Sequence, residues 1–382
     1  MSNFPKIGIL GAGQLGKMLC QAASPWELPI HCLDASKDFP AGPYCQGFVE
    51  GNFKDYEDVL QFGRQMDLLT IEIEHVNTEA LAVLQEEGKT VHPNPHSLSI
   101  IKDKGLQKQF YATHHIPTSD FQLYDSKEAL TEAILDGSRS IPFVQKSRLA
   151  GYDGKGVAVI RSEEDVQNKL LDGPCMVEDL VAIEKEIAVV VARNEKGEIS
   201  AFDPVEMEFH PTANLVEFLS CPAVLTAAQA ATAIELSKKI IEAFDICGLL
   251  AVELFLNKAG EIIVNEVAPR PHNSGHHTID SAITSQYEQH LRGILNLPLG
   301  STKMTSPSIM VNLLGHPDHT GPVYYEGLSE CLAIEGVKVH IYGKEITKPF
   351  RKMGHVTVIA DTLSEARAKA KKVQQLLKSI SV

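Results

Sequence analysis

Two glutamates, Glu253 and Glu266, lie on apolar segments that could place them side by side. The segments 250–256 and 261–267 are rich in aliphatic and β-branched residues, as strands are. The four residues between them, 257–260, begin with Asn and end with Gly, which suits a tight reversal. The pattern predicts a β-hairpin with one carboxylate on each strand.

The expected register brings the two carboxylates together. We expect Asn257 to pair with Gly260 across the turn. Glu253 then faces Val264, with Glu266 as its diagonal neighbour on the same face. A buried carboxylate is costly unless it is paired or holds a metal, and the only cationic residue between the two glutamates is a lysine in the turn. We therefore expect a divalent cation, with magnesium favoured by hard oxygen ligands; the alternative is a solvent-exposed sheet face.

Cationic and hydrogen-bonding side chains follow the second strand directly. Arg270, His272, Asn273 and His276 suit the phosphates of a nucleotide or a second anion. Magnesium held by two carboxylates usually shares its remaining positions with substrate phosphates. The segment thus predicts phosphate chemistry beside the hairpin.

A second phosphate-binding feature lies upstream, in residues 149–156. Its three glycines, Gly151, Gly154 and Gly156, predict a flexible hairpin loop whose N–H groups can surround phosphate oxygens. No helix and no Lys-Ser/Thr pair follow, so the loop is not a P-loop. Lys146 on the preceding strand should point toward the same place. A plain hairpin turn is the alternative, although one glycine would be enough for it.

The chain begins with a strand, a glycine-rich turn and a helix. Gly11, Gly13 and Gly16 follow the strand 6–10 in the G-x-G-x-x-G pattern. Asp34 ends the next strand, about where a ribose-binding acid would lie. NAD binding and an ordinary βαβ turn near another anion both remain open on these residues.

Glu74 follows another apolar strand, 68–73. It should share a crevice with Gln14, because ligands of open parallel sheets bind beyond the carboxyl ends of the strands. The alternative for Glu74 is a charge at the N-terminus of a helix predicted over 77–87. The prolines of segment 92–95 close this first domain.

Beyond the prolines the pattern predicts a central and a terminal domain. One helix, capped by Ser97 or Ser99, should run to His114, and residues 279–296 should also be helical. Short strands and helices over 121–180 indicate a small α+β unit. We expect domains at 1–96, 97–300 and 301–382. The last contains a basic cluster, Lys344, Arg351 and Lys352, that we interpret as a positive lid over an anionic substrate, with a solvated loop as the alternative.

Composition limits the function classes. A chain of 382 residues should hold two or three domains. Its net charge of −14 argues against nucleic acid or an acidic membrane as the main partner. The seven cysteines are scattered and never form Cys-x-x-Cys, as is typical of reduced thiols in the cytoplasm. No apolar run is long enough to span a membrane, and no export signal precedes the first strand.

Taken together, these features resemble the ATP-grasp superfamily over essentially the whole chain. Within it, the chain is similar to the family of 5-(carboxyamino)imidazole ribonucleotide synthases. Four stretches carry the closer match: GAGQLGKM at 11–18, GYDGKG at 151–156, NEVAPRPHNSGH at 265–276 and RKMGH at 351–355. One departure is Lys155, where many members have arginine, which can make a bidentate phosphate contact.

The resemblance implies a fold of mixed α/β and α+β domains. These are a Rossmann-like N-terminal domain that binds no dinucleotide, ATP-grasp central domains and a small C-terminal α+β domain. It also implies a cytoplasmic homodimer in purine biosynthesis that uses magnesium-ATP, bicarbonate and aminoimidazole ribonucleotide. Bicarbonate would attack the γ-phosphorus to give carboxyphosphate, and this, or the carbon dioxide it releases, would carboxylate the exocyclic amine.

The resemblance also implies roles for individual residues. Glu253 and Glu266 would bind the metal, and Asp153 is the candidate acid or base. Asn265 should face away from the metal unless its strand ends there. The nucleotide would contact Lys104, Lys146, Gly151, Gly154, Gly156, Glu178, Glu186, His210, Asn265 and Glu266. The ribonucleotide or bicarbonate would contact Gln14, Leu15, Glu74, Arg351 and Lys352, and the reacting groups would lie near Tyr152, Asp153, Lys155, Arg270, His272 and Lys344.

Three other functions compete with this one. The first is another ATP-grasp ligase, such as the formate-dependent glycinamide ribonucleotide transformylase. The second is an NAD-dependent oxidoreductase that uses the glycine-rich turn. The third is a nucleotide sensor without catalytic turnover. The sequence leaves the roles of Glu178 and Glu186 open. Each could accept a hydrogen bond from a ribose hydroxyl or an adenine amine, and each could equally be a charge on the protein surface.

Overall fold

The computed structural model describes residues 4–149, 156–210 and 215–382. These residues form an N-terminal α/β domain, a small α+β unit, and a large sheet that continues into the C-terminal part of the chain. The predicted fold class is confirmed. Within the described residues, no helix is long and apolar enough to cross a membrane.

The N-terminal domain is built on a parallel sheet with the strand order β3-β2-β1-β4-β5. The strands are β1 (Ile7–Leu10), β2 (Ile30–Asp34), β3 (Gly47–Glu50), β4 (Leu68–Ile71) and β5 (Thr90–Val91). The helices are α1 (Gln14–Ala23), α2 (Tyr56–Arg64) and α3 (Thr78–Glu86). The strand order reverses between β1 and β4, and ligands of such sheets bind at this point. The segments that follow these two strands carry Gln14 and Glu74.

Two helices, not one, connect this domain to the next. They are α4 (Pro95–Lys102) and α5 (Lys104–Thr113). Asp103 breaks the predicted single helix, because its backbone is extended and its carboxylate accepts the N–H groups of Gly105 and Leu106. The expected caps are also wrong, since Asn94 caps α4. The break makes Lys104 the first residue of a new helix.

The small α+β unit is confirmed as an antiparallel sheet with the order β6-β9-β7-β8. Its strands are β6 (Phe121–Tyr124), β7 (Phe143–Ser147), β8 (Val157–Ile160) and β9 (Cys175–Asp179). Its helices are α6 (Lys127–Leu135) and α7 (Glu163–Lys169). Lys146 lies on β7 and Glu178 on the neighbouring β9, so the two side chains come from adjacent strands.

The large sheet has the order β15-β14-β10-β12-β13-β16-β20-β18, with β11 beside β10. Its strands are β10 (Ile183–Arg193), β11 (Ile199–Ala201), β12 (Val205–Phe209), β13 (Val216–Cys221), β14 (Gly248–Asn257), β15 (Ile262–Ala268), β16 (Ser308–Leu314), β18 (Val337–Ile341) and β20 (Lys352–Ile359). A smaller sheet pairs β17 (Gly321–Glu326) with β19 (Ile346–Thr347) and β21 (Lys378–Ser381). The remaining helices are α8 (Ala227–Ala243), α9 (Thr278–Ser281), α10 (Gln286–Ile294), α11 (Leu328–Leu332) and α12 (Leu363–Leu376).

The helix expected over 279–296 is interrupted, which corrects the prediction. Ala282 is extended and forms a β-bridge with Met304, so α9 ends before it. Ser285 then caps α10 by accepting the N–H of Glu288. Tertiary pairing with the chain near Met304 overrides local helix propensity here.

The main core lies under the two central strands of the large sheet. One face of β10 and β14 packs on α8 through Ile187, Val189, Val191, Leu250, Val252, Leu254, Leu236 and Ile240. Glu253 lies between Val252 and Leu254, and successive side chains on a strand point to opposite faces. The carboxylate of Glu253 is therefore directed away from this core, toward the charged side chains of Lys104 and Lys146.

Candidate active site

The hairpin β14–β15 places Glu253 directly opposite Glu266, closer than the diagonal pairing that the sequence predicts. The predicted register is wrong near the turn, because Asn257 pairs with Glu261, whose carbonyl accepts its N–H at 3.0 Å. The loop therefore has three residues and ends at Gly260, whose φ of +85° lies in the left-handed region. This longer loop moves the register by one residue.

A β-bulge moves the register by one residue more. Leu254 pairs with Val264, but Glu253 pairs with Glu266, so Asn265 is the extra residue of β15. Asn265 accepts a hydrogen bond from Lys146 Nζ at 2.9 Å. The expectation that Asn265 could reach the site only at the end of its strand is wrong. The strand continues past it, and the bulge turns the side chain toward the site.

A lysine and a histidine of the protein already lie against the two glutamates. Lys104 Nζ contacts Glu266 Oε2, and His272 Nε2 lies 3.5 Å from Glu253 Oε1. The side chains of Glu266 and Glu253 keep 38% and 19% of their surface exposed, so both carboxylates are accessible to solvent. These partners were not predicted, because Lys104 and His272 lie outside the segment between the two glutamates.

The pKa values of the two carboxylates are shifted in opposite directions. Lys104 is the main cause of the lowered pKa of Glu266. Burial raises the pKa of Glu253, and the nearby charges of Glu266 and Glu186 raise it further. Glu186 lies on the same face of the sheet, because β10 pairs with β14 in register. A divalent cation would allow both carboxylates to ionise, so the pair fits such an ion.

A buried ion cluster supports the lysine of the small unit. Glu178 Oε2 lies 2.7 Å from Lys146 Nζ, and Glu178 Oε1 lies 2.5 Å from Lys108 Nζ. Ser119 donates to the same carboxylate at 2.6 Å. Burial alone would raise the pKa of Glu178, but Lys146 and Lys108 lower it to about 2. Glu178 is thus an anion that fixes Lys146 beside Asn265.

Sequence reasoning did not single out Lys108 as a site residue. Its side chain is almost completely buried, and it follows Lys104 by one helical turn on α5. That spacing places both lysines on the same helix face, and it is the signal that could have identified Lys108.

The N-terminal domain contributes a second set of contacts. Glu74 Oε1 lies 2.8 Å from Arg270 Nε. Glu72 accepts the N–H groups of Gly13 and Gly16, at 2.5 and 2.6 Å. Asp34 accepts the N–H of Ala12 at 2.7 Å. Glu72 thus occupies the N–H groups that a dinucleotide's pyrophosphate would use. Asp34, the candidate ribose ligand, is already bonded to the turn. Both observations argue against NAD binding.

The predicted substrate residues of α1 lie at the start of that helix. Gln14 is its first residue, and Leu15 packs beside a buried cluster that contains Tyr287 and Tyr342. Tyr287 belongs to α10 and Tyr342 follows β18. Helix α1, helix α10 and the residue that follows β18 therefore pack together next to Gln14.

The basic cluster lies at the start of β20. Lys344 Nζ donates to the Lys352 carbonyl at 2.7 Å, and Arg351 Nη1 donates to the Ile346 carbonyl at 2.5 Å. Burial lowers the pKa of His276, and the charges of His272 and Lys352 lower it further. Lys352 therefore lies in the same region as the residues that follow β15. These bonds hold the cluster in a folded hairpin.

The structure also describes two further predicted residues, His210 and Gly156. The His210 ring lies edge-on to Phe350, with 5.8 Å between ring centroids, which puts it beside the basic cluster. Gly156 has a φ of +75°, and its carbonyl accepts the N–H of Ser147 at 2.9 Å. Five predicted residues lie outside the described residues: Gly151, Tyr152, Asp153, Gly154 and Lys155.

Three family models match consecutive parts of the chain. A ribonucleotide synthetase preATP-grasp domain matches residues 4–102, and an ATP-grasp domain matches residues 109–287. A phosphoribosylaminoimidazole carboxylase C-terminal domain matches residues 308–369.

Curated relatives match nearly the whole chain. A chloroplastic phosphoribosylaminoimidazole carboxylase from Vigna aconitifolia is 37% identical over 94% of this chain. The match spans only 64% of that carboxylase's own length. An N5-carboxyaminoimidazole ribonucleotide synthase from Synechococcus elongatus is 34% identical over 100% of this chain and 95% of its own.

Solved structures match with the same coverage. The N5-carboxyaminoimidazole ribonucleotide synthetase from Thermotoga maritima has a TM-score of 0.91 and 40% identity, and covers 99% of this chain and 100% of its own. The synthase from Aspergillus clavatus, in complex with ADP and 5-aminoimidazole ribonucleotide, has a TM-score of 0.89 and 32% identity. That match covers 98% of this chain and 99% of the other.

Proposed function

Because the chain belongs to the N5-carboxyaminoimidazole ribonucleotide synthase family of ATP-grasp proteins, we propose that it carboxylates the exocyclic amine of 5-aminoimidazole ribonucleotide with ATP and bicarbonate. The reaction would serve purine biosynthesis. The observation that carries the proposal is the pair Glu253 and Glu266, directly opposed in a cleft where lysines from two other elements converge.

The proposed reaction has two steps. A bicarbonate oxygen attacks the γ-phosphorus of ATP, the bond to the β-phosphate oxygen breaks, and carboxyphosphate and ADP form. The exocyclic amine then attacks the carboxyl carbon, either in carboxyphosphate or in the carbon dioxide it releases. Phosphate leaves, and the nitrogen loses a proton. Exclusion of water is essential, since a mixed anhydride hydrolyses readily.

The nucleotide side of the cleft is formed by the residues around the acid pair. We assign Lys104 and Lys146 to phosphate oxygens of the nucleotide. The support is that Lys104 lies against Glu266 and that Lys146 donates a hydrogen bond to Asn265. We assign the same side to Gly151, Gly154, Gly156, Glu178, Glu186, His210 and Glu266. The buried anion Glu178 holds Lys146 in position, so its role is exerted through that lysine.

A magnesium ion fits the acid pair. Glu253 and Glu266 would hold it, since the two carboxylates are directly opposed and the charge of Glu266 adds to the effect of burial in raising the pKa of Glu253. When bound, magnesium would offset charge on the β- and γ-phosphates. His272 and Lys104 already contact these carboxylates and would have to share them with the ion.

The ribonucleotide side of the cleft lies between the N-terminal domain and the basic cluster. We assign its binding to Gln14, Leu15, Glu74, Arg351 and Lys352, and the reacting groups to Tyr152, Asp153, Lys155, Arg270, His272 and Lys344. Glu74 fixes the guanidinium of Arg270, which is suited to a bicarbonate or a phosphate. Asp153 is the proposed acid or base at the amine.

We also propose a domain organisation, a cellular compartment and an oligomeric state for the protein. Three domains at 1–96, 97–300 and 301–382 agree with the order of the three matching family models. Seven free cysteines support a reducing compartment such as the cytoplasm. The support for a homodimer is the family resemblance, and sedimentation would test it against the 41.8 kDa of one chain.

A coupled assay of ADP release, with each substrate left out in turn, tests the proposed function. ADP should form only when ATP, bicarbonate and aminoimidazole ribonucleotide are all present. ADP release with glycinamide ribonucleotide and formate, and none with the first set, would overturn the proposal in favour of the transformylase. ATP binding without any turnover would favour the sensor.

A further inference from the structure

The glycine-rich turn after β1 is closed by a carboxylate of the same chain. Glu72 follows β4, and its Oε1 accepts the N–H of Gly13 at 2.5 Å. Its Oε2 accepts the N–H of Gly16 at 2.6 Å. Each oxygen therefore serves one backbone donor, at the N-terminus of α1 where a carboxylate is favoured.

The turn is shaped around this side chain. A Cβ added to Gly13 would lie 2.7 Å from Glu72 Oε1, and a Cβ added to Gly11 would lie 2.5 Å from Glu72 Cγ. A Cβ at Gly16 would lie 3.3 Å from Oε2. In a dinucleotide-binding domain, such glycines let the backbone approach a pyrophosphate. In this chain they let it approach Glu72.

The two bonded N–H groups bracket Gln14 and Leu15. Both residues are assigned here to the ribonucleotide side of the cleft. Two residues after Glu72, Glu74 contacts Arg270 at 2.8 Å, so one short segment reaches both α1 and the loop after β15. Glu72 therefore connects the parallel sheet to the start of α1 where the substrate residues lie.

We propose that Glu72 is a positioning residue that fixes Gln14 and Leu15 for the ribonucleotide. The inference rests on the proposed function, because it needs that substrate side of the cleft. Glu72 acts without touching the substrate, through the backbone of the turn. An amide cannot replace it, since a glutamine offers one acceptor oxygen and would present its NH₂ group to the second N–H.

The chain offers a matched control in the same domain. Asp55 caps α2, and its Oδ1 alone accepts the N–H groups of Glu57 and Asp58, at 2.9 and 3.1 Å. An asparagine keeps that oxygen, so Asp55→Asn preserves both bonds. Glu72→Gln removes the same charge but loses one of two bonds.

The test compares steady-state kinetics of the whole enzyme and of these two variants. Glu72→Gln should raise KM for aminoimidazole ribonucleotide about tenfold or more, as expected for the loss of a charge-assisted hydrogen bond. KM for ATP should stay unchanged, because Lys104, Lys146 and Glu266 lie on other elements. Asp55→Asn should keep both KM values. An unchanged ribonucleotide KM in Glu72→Gln, or an equal rise in both KM values, would overturn the inference.

A second variant decides the question if Glu72→Gln folds poorly. Gly13 has a φ of −76°, which alanine tolerates, so Gly13→Ala would displace the Glu72 carboxylate without straining the backbone. It should show the same selective rise in ribonucleotide KM, and unchanged kinetics would contradict the inference. Wild-type enzyme that releases ADP without the ribonucleotide would instead overturn the proposed function itself.

Discussion

Lysines and carboxylates of the cleft act in pairs, and each pair has its own role. Glu266 is paired with Lys104, whereas His272 lies 3.5 Å from Glu253, which carries the raised pKa. A divalent cation would therefore change the protonation of Glu253 more than that of Glu266. The proposed metal site requires a carboxylate at both positions.

Replacing Glu266 by glutamine tests this requirement. The change keeps the size of the side chain but removes one metal carboxylate, so ADP release at saturating substrate should fall by a factor on the order of a hundred or more. The control is Glu261→Gln on the same hairpin, whose exposed carboxylate only accepts from Asn257 at 2.9 Å. Similar rates for the two variants would refute the role of Glu266.

Residue types were sufficient to predict that Glu253 and Glu266 are neighbours on a hairpin. They were not sufficient for Lys108 and Glu72. The partners of these two residues lie far away along the chain, on β9 and at the start of α1. Lys108 had one local signal, its helical spacing from Lys104, whereas the N–H donors that Glu72 contacts leave no pattern around Glu72 itself.

At the scale of elements, the hairpin shows how two small irregularities determine a site. A three-residue loop and a β-bulge each shift the pairing by one residue, and together they convert a diagonal pair into a directly opposed one. The sequence predicted the strands and the turn, because alternation and turn residues are local. It did not predict the bulge at Asn265, which is stabilised by Lys146 from another sheet.

Helix α10 joins the N-terminal sheet to the large one through a buried histidine. His290 is fully buried, and its ring Nε2 lies 2.9 Å from Thr70 Oγ1 on β4. Burial, with a smaller effect of His92, lowers the pKa of His290 to about 3. The folded protein therefore keeps this ring neutral, whereas the unfolded chain protonates it below a pH of about 6.5.

The free energy of unfolding should consequently fall as the pH drops below about 6.5. The change His290→Gln should make this fall smaller. The unfolded state binds the extra proton, so the wild type should lose about 1.4 kcal/mol more unfolding free energy per pH unit than the variant. Denaturant unfolding at pH 7 and pH 5 measures the difference. His96→Gln, at an exposed site on α4, should keep the wild-type slope. Equal slopes in wild type and His290→Gln would contradict this.

At the scale of the whole molecule, one cleft collects side chains from every part of the chain. The parallel sheet contributes Glu74, the small unit Lys146, and the hairpin β14–β15 the acid pair. The large sheet continues from β13 to β16 and β20, so Lys352, which pairs with Leu314 beyond a register shift, belongs to the same scaffold. The sequence predicted these parts, but the continuous sheet that joins them depends on strand pairing over long distances.

The proposed chemistry joins the carbon of bicarbonate to the exocyclic nitrogen of the ribonucleotide at the expense of ATP. The most direct measurement is NMR of the product formed from ¹³C-bicarbonate and aminoimidazole ribonucleotide labelled with ¹⁵N at that amine. We expect a one-bond ¹³C–¹⁵N coupling that appears only when ATP is present. A carboxylated product without this coupling, or no labelled product in the presence of ATP, would contradict the proposed function.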